Sequence, residues 1–323
     1  MGRSCQFNVE DVARSLEREL MVGGGVEVAD FREAIRGLKA FGVEFYSFLS
    51  GGTRPVGFLL SRLLALMVPD YRVHCYISAS EELSEREAMK IVDAAKLHSS
   101  SSGAHMSWLI LVVREASGEL ADAVRRLEER AMGIILVDCS RRKAYASRGF
   151  LAARLLKSLK LKRVFKRAGR RVEAELGRAY SRVYVPALVV NSLISAFLMG
   201  SAVIIAASLL RAPGGAWILP AVALSSSLIG AASYLLLQHP SILLTEQGFT
   251  VKVGRSRFRG LWRKCRRASV VRFDGSLYVR FYGAQLVDIP VYMAGVDAFA
   301  LRDLAAMLIE RSRRDVVERQ VGS

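Results

Sequence analysis

Charge is missing from two long stretches of this 323-residue chain: none lies between Arg182 and Arg211, and Ala212 to Gln238 is a second uncharged run. About 20 helical residues cross a hydrocarbon core of roughly 30 Å, whereas helices of globular proteins usually run about 10–14 residues and carry polar positions. The two runs argue against a wholly water-facing protein. They predict a transmembrane helical hairpin over 183–238, turned at Pro213, Gly214 and Gly215, with Tyr184 and Trp217 at the interfaces. Neither run holds an ionisable side chain, which argues against an ion or proton pathway. The opening MGRSCQFNVEDVARSLEREL lacks the apolar core of a signal peptide.

Cysteine is scarce as well. Cys5, Cys75, Cys139 and Cys265 are scattered, without a CxxC pair or a histidine at ligand spacing, which disfavours disulfides and structural zinc. Catalytic signatures are missing too: no P-loop, dinucleotide fingerprint, HExxH, GxSxG or EF-hand occurs. Ser140 to Lys143 has a minimal Ser-x-x-Lys spacing that one match by chance explains. The stretch His98 to His105, HSSSSGAH, is the most site-like, although a serine-rich connector has the same composition. No cofactor is implied.

What is present is an uneven charge. The total is +17, yet residues 1–148 are neutral, 149–182 carry a net +9 and 239–323 a net +7. This excess on both outer flanks predicts cytoplasmic termini and a multi-pass protein of the cell membrane. The neutral first segment argues against nucleic acid as a partner, because that binding needs a basic face. Small residues at Ser192, Ala196 and Gly200, and at Ser226 and Gly230, suit close helix packing within the hairpin or in a homo-oligomer.

The expected organisation is a cytosolic α/β domain over 1–150, a basic juxtamembrane helix over 151–182, two transmembrane helices over 183–238, a C-terminal domain over 239–312 and a tail over 313–323. Helices are expected at 8–21, 28–47 and 54–68, the last ended by Pro69. A strand-helix alternation follows from YRVHCYISA to GIILVD, and it predicts a mostly parallel sheet. The rhythm of SWLILVV, a helix and MGIILVD resembles restriction-endonuclease-like domains across residues 70–148. That resemblance implies an acidic residue and a Glu-x-Lys pair around a metal, but the preceding strand reads Val73, His74, Cys75, Tyr76, Ile77, Ser78.

After His239 and Pro240 come ILLTE, GFTVKV, RFRGLW, ASVVRF, SLYVRFY and AQLVDIP, alternating runs with turn residues between them, and a helix capped at Asp297. This layout predicts a pleckstrin-homology-like (PH-like) β-barrel closed by a helix. Leu244, Thr245, Glu246, Gly248, Trp262, Ile289 and Pro290, with the preceding hairpin, resemble the bacterial YcxB-like family of membrane-anchored PH-like proteins over residues 183–312. That resemblance brings no catalytic residues. The run KSLKLKRVFKRAGRR offers Lys157, Lys160, Lys162, Arg163, Lys166, Arg167, Arg170 and Arg171 to anionic headgroups, and Lys252, Arg255 and Arg257 flank the first turn of the expected barrel. The expected function is non-catalytic sensing, scaffolding or recruitment of an unknown protein partner at the membrane. The alternative is a tethered enzyme with a nuclease-like or nucleotide-binding α/β site.

Overall fold

A computed structural model describes residues 7–22, 29–53, 71–170, 174–181, 185–210, 218–235, 241–253, 256–273, 275–291 and 295–321. The expected helix at 54–68, Tyr184 and the turn at Pro213 to Trp217 lie outside them. The chain divides into two compact units, one of residues 1–173 with 267–281, the other of 174–266 with 282–323.

In the first unit, α1 (Val9–Val22) precedes a hairpin of β1 (Ala29–Ala40) and β2 (Val43–Thr53), then β3 (Val73–Ser80), α2 (Glu85–Ser101), β4 (Met106–Val113), α3 (Gly118–Arg126), β5 (Met132–Asp138), β6 (Lys143–Ala146), α4 (Phe150–Ser158) and α5 (Leu161–Ala168). The hairpin replaces the helix expected at 28–47. Its buried residues, Ala29, Phe31 and Ala34, slip from a spacing of two to three because Arg32 is an extra residue in β1 opposite β2, so a strand imitates a helical period. Phe41 and Gly42, with φ of 50° and 76°, make the tight turn that joins the strands.

Much later in the chain, β11 (Arg267–Phe273) and β12 (Ser276–Tyr282) return to this sheet. The large sheet has nine strands, eight of them in the order β12-β11-β1-β2-β3-β4-β5-β6. β3-β4 and β4-β5 pair parallel, while β1 pairs antiparallel with β11 and β2, and β2 with β3, so the sheet is mixed. Helices α2 and α3 lie over Tyr76, Leu109, Leu111, Ile134 and Leu136. Trp108 is buried and its indole N–H donates to the Leu151 carbonyl of α4 at 3.0 Å. Ser84 caps α2 in a reciprocal capping box with Glu87.

The second unit holds β7 (Ala179–Tyr180), α6 (Val185–Leu210), α7 (Ile218–Ser233), β8 (Ser241–Leu244), β9 (Gly248–Val253), β10 (Ser256–Leu261), β13 (Leu286–Ile289) and α8 (Ala298–Val321). β10, β9, β8 and β7 form an open four-stranded sheet. Trp262 is buried against Phe249 and donates to the Thr245 carbonyl at 2.8 Å. Asp297 caps α8 through the amides of Phe299 and Ala300.

Two expectations are corrected here. Among the described residues there is no closed PH-like barrel: ASVVRF and SLYVRFY, expected in it from their alternation, join the large sheet instead. Ala268, Ser269, Val270 and Val271 are all buried, as a strand inside a covered sheet requires, and pairing with β1 supplies that setting. The multidomain, multi-pass membrane architecture is not shown either. Among the described residues one helix, α6, is long and apolar enough to span, through Leu188–Ile205. α7 has 16 described residues, roughly 24 Å at 1.5 Å per residue. α6 and α7 pack closely, since a Cβ on Gly230 would stand 2.6 Å from the Asn191 carbonyl oxygen, whereas Gly200 faces open space.

Candidate functional site

Strand register in the first unit puts Val271, Glu33, Ser50 and His74 in one row, each opposite the next across β11, β1, β2 and β3. Residues directly opposite project from the same face of a sheet. That row forms part of a cleft of about 880 Å³, lined also by Asp30, Arg32, Gly51, Arg72, Arg272, Phe273, Gly275 and Arg280. A cleft of this size suits a small-molecule ligand.

Four guanidinium groups face two carboxylates there. Asp30 pairs with Arg272 and lies 3.7 Å from Arg32, and Glu33 lies 3.7 Å from Arg267. Arg272 also donates to the Met21 carbonyl at 2.7 Å, which fixes it, and burial lowers its pKa from the ordinary arginine value. Gly51 is required where β2 meets β1, because a Cβ would fall 2.0 Å from the Asp30 carbonyl oxygen. At one end Arg280 stacks over the Phe273 ring, 5.0 Å from its centroid, with Tyr278 edge-on at 5.7 Å.

At the other end a ring network backs the cleft. His74 Nδ1 lies 3.3 Å from Ser102 Oγ and 3.4 Å from the Tyr76 hydroxyl, which is 2.8 Å from His98 Nδ1. Phe48 packs edge-on against both imidazoles. Burial, then the neighbouring His98 and Arg72, push the His74 pKa down to about 4. Burial lowers His98 and raises the Tyr76 hydroxyl. Both imidazoles are thus neutral at pH 7, and arginine alone supplies fixed positive charge.

Of the serine-rich stretch, His98 and Ser102 join the His74–Tyr76 network, and His105 does not. His98 turns to Tyr76 from the last turn of α2, and His105 packs on Tyr71. Ser140 donates to the Arg114 carbonyl at 2.8 Å. Among the described residues no group of His, Cys, Asp and Glu could hold a metal ion. Cys75, Cys139 and Cys265 are free and buried, and burial raises the Cys139 thiol to about 12.

The headgroup candidates divide. Lys157 is on α4, Lys160 precedes α5, and Lys162 and Lys166 lie on the exposed side of α5, with Arg170 just beyond it. The apolar side of α5, Val164, Phe165 and Ala168, is buried within the first unit, and Phe165 meets Phe7 at 5.7 Å. Arg167 and Arg163 are held by the buried Glu19 of α1, at 2.8 and 3.6 Å. Lys252 and Arg257 are direct partners across β9 and β10. Arg171 and Arg255 lie outside the described residues.

No local motif announces the cleft, because its arginines come from four separate segments and only strand pairing unites them. Comparison with known proteins finds no likeness: no protein-family model, curated protein or solved structure matches this chain.

Proposed function

We propose that this chain is a non-catalytic recognition protein held at the cell membrane, its first unit receiving a phosphate-bearing ligand in the arginine cleft. The observation that carries this reading is the gathering of Arg32, Arg72, Arg272 and Arg280 around the polar row Glu33, Ser50 and His74. Guanidinium groups match phosphate oxygens in planar, forked pairs. α6 supports membrane attachment by its length and lack of charge. Lys157, Lys160, Lys162 and Lys166 support attraction to anionic lipid headgroups.

A tethered enzyme is the second reading, and the His74, Tyr76 and His98 network beside the cleft favours it. Calorimetric titration of the detergent-solubilised full chain with sodium tripolyphosphate separates these outcomes. Saturable binding with the probe recovered intact is expected; hydrolysis of the probe would favour the enzyme, and no binding would sink both.

A further inference from the structure

We infer that the ligand of the cleft is a nucleoside polyphosphate, with its phosphates at the Arg72 and His74 end and its base at Phe273. This deepens the phosphate-binding reading and rests on it. The row from His74 through Ser50 and Glu33 to Val271 crosses three strand spacings, each about 4.8 Å, so the two ends stand roughly 14 Å apart. Cationic groups populate the whole length, whereas among the described lining residues Phe273 is the one Phe, Tyr or Trp side chain, at the β11 and β12 end, and it is half exposed.

Each part of such a ligand meets a matching group. Aromatic and guanidinium planes stack on nucleobases, and Phe273 with Arg280 presents both. Ser50 and Glu33 occupy the middle, a hydroxyl and a carboxylate where the ribose would lie, and carboxylates accept hydrogen bonds from ribose hydroxyls. Arg72 and His74 lie beyond them, at the distance of the second and third phosphates of an extended chain. A monophosphate would leave that end unfilled, and inorganic phosphate would leave the aromatic end without a role.

The full chain in detergent would be titrated with adenosine triphosphate, adenosine monophosphate and sodium tripolyphosphate, followed by the variants Phe273→Ala, Arg72→Gln and the pair Lys162→Gln with Lys166→Gln. Phe273 and Arg72 are exposed enough for their variants to fold, which an unchanged unfolding midpoint checks. Stacking predicts that the triphosphate binds about tenfold tighter than tripolyphosphate, and at least tenfold tighter than the monophosphate. Phe273→Ala should erase the advantage over tripolyphosphate without changing tripolyphosphate itself, and Arg72→Gln should weaken both about tenfold.

Equal affinity for triphosphate and tripolyphosphate, unmoved by Phe273→Ala, would overturn the nucleotide inference and leave phosphate recognition standing. Binding of neither probe would overturn both. Binding that survives Arg72→Gln and disappears in the α5 lysine variant would move the phosphate site out of the cleft and overturn both.

Discussion

Single residues set the electrostatics. His74 is neutral in the folded protein with a pKa near 4, against 6.5 when unfolded. A histidine depressed in this way leaves stability intact above pH 6.5 and removes it as pH falls from 6.5 toward 4, because the unfolded chain then binds the proton more readily. Urea midpoints at pH 7, 5.5 and 4.5 should fall more steeply for the native chain than for His74→Gln, and parallel slopes would exclude His74 as the cause. Glu19 gives a second test. Its carboxylate is buried, while Arg163 and Arg167 remain partly in water. Arg167→Ala removes the nearer partner of a buried charge and leaves it only Arg163 at 3.6 Å, which should cost about 3 kcal/mol, near the loss for breaking a buried pair. Glu19→Gln lets both arginines hydrate and should cost about 1 kcal/mol, so thermal melts that rank the two variants the other way would refute this account.

At the scale of elements, the sequence was legible wherever periodicity was undisturbed. The strands at 73–80, 106–113 and 132–138, both crossover helices and all six C-terminal strands stand close to their expected positions along the chain, though two of the six join a different sheet. It misled where backbone irregularity altered the period, as at the Arg32 bulge of β1. A side chain on Gly133 of β5 would stand 2.6 Å from the backbone nitrogen of Ala152 and 2.9 Å from Trp108. Gly133→Ala must push α4 off the sheet, at about 2–3 kcal/mol in a chemical denaturation curve. Helix α5 lies in the segment expected as a basic juxtamembrane helix, and its buried apolar side leaves only charge to meet a lipid surface. Substituting Lys157, Lys160, Lys162 and Lys166 by glutamine should abolish flotation with anionic vesicles at low salt, provided α6 is deleted so that insertion does not mask the effect. Retention of flotation would exclude these lysines.

For the whole molecule, the sequence showed strands without showing their partners. ASVVRF and SLYVRFY fit an antiparallel barrel as well as any other antiparallel sheet, since alternation specifies a face and not a neighbour. The cleft shares this opacity: Arg72 and Arg272 lie 200 positions apart yet line one wall system. A fragment of residues 1–173 would lack β11 and leave the edge of β1 unpaired, inviting association. It should aggregate on purification, and appending residues 267–281 through a flexible linker should restore a monomer with protected β1 amides by hydrogen exchange. A soluble, equally protected fragment without the appended strands would contradict the sheet order. The same discontinuity constrains topology by parity. Residues 1–173 and 267–281 belong to one compact unit and therefore stand on one side of any bilayer, so an intervening chain that entered a bilayer would have to emerge on the side from which it entered.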